Sequence, residues 1–149
     1  MPSTYPPLAR CNDESDLEHV RRRLSKKSER RCIDQTDERG RTALHFRSAW
    51  AHLGHVRLLL DRGADINKAD NNGDTPLYAS SAVGNEAVVR LLLDHGAEID
   101  KANNGGITPL FIASQFSNEG VVSLLLDRGA EIDKANIKGT TPLWIASQE

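Results

Sequence analysis

The chain has 149 residues, with 19 Lys and Arg against 21 Asp and Glu, and only 5% of its residues are aromatic. A formal charge of −2 excludes binding driven by bulk charge, and no apolar run is long enough for a membrane-spanning helix, so no membrane insertion is expected. Two cysteines, Cys11 and Cys32, cannot make a disulfide framework or, alone, a metal site, and Met1–Arg10 lacks an apolar signal core. A reducing intracellular setting is expected: the cytoplasm, with the nucleus as the alternative.

Residues 1–36 read as a worn structural unit that caps the chain's start, in part disordered. Pro7-Leu8 aligns with Pro76-Leu77, Asp16 is a plausible helix N-cap, and Leu17, Val20 and Leu24 follow a helical rhythm. The stretch 21–31 holds seven Lys or Arg against one Glu. Such a run is usually a solvated face, but it also suits a nuclear import signal or a nucleic-acid contact. With no aromatic residue interleaved, nucleic acid is the weaker expectation.

From residue 37 a 33-residue period takes over. Gly40, Gly73, Gly106 and Gly139 keep that step, as do Thr42, Thr75, Thr108 and Thr141, and Leu44, Leu77, Leu110 and Leu143. A period of this size predicts stacked supersecondary units. The units are placed at 37–69, 70–102 and 103–135, with a half unit at 136–149. In each, a threonine N-cap opens a first helix, and Thr75-Pro76, Thr108-Pro109 and Thr141-Pro142 add proline at the first helical position. A second helix carries an apolar face too wide to stand alone, as in Val88, Val89, Leu91, Leu92 and Leu93. Gly63, Gly96 and Gly129 follow as left-handed C-caps. The polar residues from Gly96 to Gly106 predict an extended turn.

The unit Asp70-Asn-Asn-Gly-Asp-Thr-Pro-Leu-Tyr78, ending Val88-Val-Arg-Leu-Leu-Leu-Asp-His-Gly-Ala-Glu-Ile-Asp100, resembles the ankyrin repeat, across about three quarters of the chain. The resemblance implies an all-α solenoid of helix-turn-helix units with projecting β-hairpin loops. It also implies a non-enzymatic module, expected to be a monomer, that binds another protein on a concave face of loops and first helices. Onto this sequence that face carries Glu38, Arg39 and Arg41; Asn71, Asn72 and Asp74; Asn104, Gly105 and Ile107; and Ile137, Lys138 and Thr140. On the first helices it carries Ala49 and Trp50, Ala82 and Val83, and Gln115 and Phe116.

The copies themselves point the same way. Between 70–102 and 103–135 twelve positions differ, and nine of those fall in the first fifteen. Packing holds the second-helix side constant, so whatever distinguishes the units lies on the loop and first-helix side. Trp50, Val83 and Phe116 share one place in successive units and are expected to form an apolar stripe of binding anchors; the alternative is that they are ordinary core.

Several departures carry their own expectations. Arg47 stands where Ser80 and Ala113 stand, so it is expected either to snorkel to solvent or to shift the first helix. Ala51 replaces the turn glycine of Gly84. His45, Tyr78, Phe111 and Trp144 share a position and read as packing residues. Leu59-x5-Asp65-Ile66-Asn67 is similar to the motif at which asparaginyl hydroxylases modify ankyrin loops, although a loop hydrogen-bonding role is the simpler expectation for Asn67.

The chain stops in the middle of its fourth unit, which predicts a fragment or truncated product. An alternative function follows: the targeting portion of a longer enzyme or channel. No histidine of His19, His45, His52, His55 and His95 has a partner at triad or metal-ligand spacing, and no phosphate loop occurs. No catalytic residue, cofactor or metal is expected.

Overall fold

The computed structural model describes residues 33–147, together with Arg22. The expected cap at 1–36, the basic stretch 21–31 and both cysteines therefore lie outside the described residues, apart from Arg22 and from Ile33 onward. Seven helices are described: α1 (Ala43–Ala49), α2 (Leu53–Asp61), α3 (Pro76–Ala82), α4 (Glu86–Asp94), α5 (Pro109–Gln115), α6 (Glu119–Asp127) and α7 (Pro142–Ala146).

Each first helix is short because it is stopped at both ends. Thr75, Thr108 and Thr141 accept the backbone N–H of Tyr78, Phe111 and Trp144 at 3.2 Å, and proline follows each cap. In α1 the proline is missing, and His45 supplies a second tie: its Nδ1 accepts the Thr42 backbone N–H at 3.1 Å. The second helices end on Gly63, Gly96 and Gly129, as expected, with φ of +86° to +87°. There the N–H of Ala64, Ala97 and Ala130 returns to the carbonyl of Leu59, Leu92 and Leu125, the six-to-one bond of a Schellman motif.

Two helical layers result. First helices stack α1 on α3 on α5 on α7, second helices stack α2 on α4 on α6, and each pair packs internally. The core between the layers is Leu44, Leu77 and Leu110 from the first helices, and Val56, Leu59, Val88, Val89, Leu92, Val121 and Leu125 from the second. The wide apolar face expected for the second helix is thus covered: Val88, Val89 and Leu92 are fully buried.

The projecting segments differ from paired strands. Among the described residues no strand forms. Each loop is instead closed around one residue: Asp37, Asp70, Asn103 and Asn136 each donate the backbone N–H to the carbonyl four residues ahead, and each use Oδ1 to accept two backbone N–H groups, two and four residues ahead, at 2.8–3.0 Å. These Asx turns satisfy the loop without a ladder. One backbone bond then ties each loop to the next: Asn71 N–H to the Arg39 carbonyl, Asn104 to Asn72, and Ile137 to Gly105, at 2.9–3.1 Å.

Arg47 corrects an expectation. It neither reaches solvent nor displaces its helix: it is fully buried, and α1 keeps the 33-residue register of α3 and α5. Its guanidinium donates to His52 Nδ1 at 2.8 Å and lies 5.7 Å from the centroid of the Trp50 ring. A polar partner and an aromatic ring replace the water the charge has lost. Ala51 keeps the turn of Gly84 by adopting φ +62° itself.

Candidate functional site

Loops and first helices share one side of the array, and that side is chemically graded along the stack. The first two loops hold most of its charges. Asp37 accepts from Arg41 Nε at 3.0 Å and Nη2 at 2.8 Å, while the Arg41 guanidinium also lies 4.5 Å from the Phe46 ring centroid. Burial works to raise the Asp37 carboxyl, but hydrogen bonds from Arg41 and Arg39 outweigh it and hold the pKa below the usual carboxylate value. Arg41 is therefore spent within its own loop.

Between the first and second loops lies a recess of about 250 Å³, lined by Arg39, Arg41, Asp70, Asp74, Phe46 and Tyr78 among others. Asp74 is half-buried and accepts from Asn103 Nδ2 at 2.8 Å. Its burial, with Asp70 nearby, raises its pKa despite that bond. Burial first, and then the charges of Asp74 and Asp70, push Tyr78 up to about 12.

The other end carries more hydrocarbon and fewer charges. A recess of about 320 Å³ between the third and fourth loops is lined by Ile107, Phe111, Ile137, Trp144 and Ile145, with Gln115, Asn136, Lys138 and Thr140 also on its wall. Ile137 is 77% exposed and Trp144 54%, whereas Phe111 forms the buried floor.

Trp50, Val83 and Phe116 are 40%, 54% and 59% exposed, so none is ordinary core. Each is the C-cap of its first helix, the point where the chain turns back toward the second helix. Trp50 leans on Phe46, with ring centroids 5.4 Å apart. Ala49 and Ala82 are half-buried, and Gln115 is exposed.

Of the loop residues singled out from sequence, Glu38, Arg39, Asn71, Asn72, Asn104, Ile137 and Lys138 are exposed, while Arg41, Asp74, Gly105, Ile107 and Thr140 are half-buried. Two of them also serve the scaffold. Asn71 and Asn104 donate their side-chain amides to the carbonyls of Glu38 and Asn71, each one loop back, at 3.1 Å. Sequence reading did not single out Asp70, Tyr78 or Trp144 as lining residues. The Asp and Asn recurring at 37, 70, 103 and 136 were a 33-residue signal for the Asx turns.

His45 is more than packing: its Nε2 lies 3.0 Å from the Asp74 carbonyl of the next loop. Because Nδ1 accepts from Thr42, the ring proton is on Nε2 and donates to Asp74. Burial lowers the His45 pKa, with the Asp74 bond working against it. Phe111 fits the packing expectation fully, Tyr78 partly, and Trp144 is exposed. Asn67 Oδ1 accepts the Glu98 backbone N–H at 2.9 Å, and its equivalents Asp34 and Asp100 take Asp65 and Glu131 in the same way. It is a clamp between successive units.

No group of three or more His, Cys, Asp or Glu among the described residues could hold a metal ion, and no helix there is long and apolar enough to cross a membrane. A family model described as ankyrin repeats in three copies matches residues 8–103. That span is more than half of the chain. The chain belongs to the ankyrin repeat family. A second model, ankyrin repeats in many copies, matches residues 81–126. A search of curated proteins found no match. Ankyrin repeats are generally protein–protein interaction modules, and the family is generally non-enzymatic.

Proposed function

We propose that this ankyrin array acts without catalysis, as a monomer, by docking another protein on its loop and first-helix face. The observation that carries the reading is the exposure of Trp50, Val83 and Phe116 at one place in three stacked units. Large apolar side chains left in water at a fixed period cost the fold and repay that cost only when covered. Glu38, Arg39, Asn72, Asn104 and Ile107 then form the polar and half-buried rim. Arg41, Asn71 and Asp74 hold the loops in place beside them.

The mechanism is preorganisation. Each loop is closed by its own Asx turn and tied to its neighbour, so little ordering entropy is lost on docking. We place the work inside the cell, in the cytoplasm.

The test is the double variant Trp50→Ala/Phe116→Ala. Binding to a partner obtained by affinity capture should fall by at least about a hundredfold, as for two central anchors. The melting temperature should move by less than about 4 °C, since both side chains are substantially exposed. A large fall in melting temperature with unchanged binding would assign both rings to the scaffold instead. Asn67 carries a second proposal, hydroxylation at its side chain. Intact-mass spectrometry of protein from cells should then show a gain of about 16 Da, one oxygen atom, absent in Asn67→Ala.

A further inference from the structure

The interaction face is not uniform, and its gradient says something about what covers it. The charged side chains of loops and first helices on this face are Asp37, Glu38, Arg39, Arg41, Asp70 and Asp74 in the first two units, Arg47 being buried. Among the described residues of the third and fourth units there is only Lys138. Arg41 is neutralised by Asp37 at 2.8 Å. That leaves Asp70 and Asp74 against the single charge of Arg39 in the recess they share with the aromatic rings of Tyr78 and Phe46, an excess of one carboxylate. Oδ1 of Asp70 is used by the backbone of its own loop and Oδ1 of Asp74 by Asn103. A carboxylate has four lone-pair sites, so both keep acceptor capacity. Two adjacent carboxylates beside aromatic rings suit a cation on an apolar stem. At the far end the recess of Ile107, Phe111, Ile137 and Trp144 suits a large apolar side chain.

We propose, resting on the interaction reading above, that the partner contributes an extended basic–apolar segment that lies along the face in one direction. Its Lys or Arg sits at Asp70 and Asp74, and a large apolar residue enters the recess beside Ile137 and Trp144. The two recesses are two units apart. Packed helices sit about 8–10 Å apart, so the span is about 16–20 Å, and at about 3.3 Å per residue an extended chain needs five or six residues to cross it.

The experiment is a random dodecapeptide display library panned on the full chain, followed by fluorescence polarisation of the enriched peptides. Enriched peptides should carry Lys or Arg about five or six positions from a large apolar residue, in one fixed order. Asp70→Asn/Asp74→Asn should weaken them about tenfold, as should raising the salt from 0.05 to 0.5 M. Asparagine already closes the same turn at 103 and 136, so the Asp70 substitution leaves its loop closed. Ile137→Ser should weaken binding by a similar factor. Peptides that lose binding in Trp50→Ala/Phe116→Ala but ignore the Asp and Ile137 variants would overturn this inference and leave the interaction face standing. Acidic peptides, or both orders equally enriched, would overturn it as well. Peptides insensitive to every variant, or no enrichment at all, would overturn both readings.

Discussion

Replacing Gly73 by alanine tests whether the loops are held as one row. Gly73 has φ +82°, and a Cβ there would stand 2.8 Å from the Asn104 backbone nitrogen and 2.7 Å from Asn104 Oδ1. The left-handed conformation alone costs a non-glycine residue about 1–2 kcal/mol. The clash adds to this. Relieving it means moving the next loop, which breaks the Asn104 N–H bond to the Asn72 carbonyl and the Asn104 amide bond to the Asn71 carbonyl. Each is worth about 0.5–1.5 kcal/mol net. Alanine returns about 0.4–1 kcal/mol by restricting the unfolded chain. The expected destabilisation is therefore about 1–4.5 kcal/mol.

Gly96→Ala is the matched control. Its φ is +87°, but a Cβ there meets nothing within 4 Å. Only the backbone strain and the entropy return apply, so the cost should stay near 1 kcal/mol or below. Thermal and urea unfolding followed by circular dichroism should place Gly73→Ala about 1–3 kcal/mol below Gly96→Ala, roughly 3–10 °C in melting temperature for a chain of this size. Because stacked units can open separately, amide hydrogen exchange is the sharper readout. Asn104 should lose protection in Gly73→Ala and keep it in Gly96→Ala. Equal destabilisation by the two variants to within 0.5 kcal/mol, or a still-protected Asn104 amide, would refute the tie between loops.

Three further expectations follow from single residues. His45 has a folded pKa below its ordinary 6.5, so between the two values the unfolded chain holds the extra proton; stability should be full above about pH 6.5 and fall as the pH drops below it, and an NMR titration of His45 that gives a pKa above 6.5 would contradict this. Ala51 pays for φ +62°, so Ala51→Gly should raise stability by about 0.5–1 kcal/mol after its unfolded-state cost, and a lower melting temperature would show that the turn is not strained. Arg47→Ala empties a fully buried site and strands His52; it should cost about 2–4 kcal/mol, against less than about 0.5 for the exposed Arg57→Ala, and similar melting temperatures for the two would refute the burial of Arg47.

The parts of the fold that were legible in sequence are those fixed by local chemistry. A threonine followed by proline, and a glycine one residue past an apolar helix, state their conformations wherever they stand, so helix starts and C-caps could be read at each copy. Arg47 was misread because a buried charge depends on what packs over it. Its guanidinium is answered by His52 and Trp50, five and three residues on, and that pairing has no counterpart in the other units. The Asx turns were legible and missed: Asp37, Asp70, Asn103 and Asn136 repeat at the period, but two residue types share one role, since both offer Oδ1.

The proposed binding face is legible for the opposite reason. A position that packs tends to repeat, because every unit meets the same neighbour, with Arg47, Ser80 and Ala113 the buried exception; a position that faces water is released from that rule. Trp50, Val83 and Phe116 end equivalent helices with no common side-chain chemistry beyond being apolar, and the loop beside them changes from Asp70-Asn-Asn-Gly-Asp74 to Asn103-Asn-Gly-Gly-Ile107. Asp70 and Asn103 change identity yet keep the same two backbone bonds, so that exchange is neutral to the turn and alters only charge. Asp74 and Ile107 occupy one place in successive loops, yet one lines the charged recess and the other the apolar recess. The scaffold accepts either residue there. What the exchange changes is the chemistry of the recess that each residue lines, a carboxylate in one and a hydrocarbon in the other.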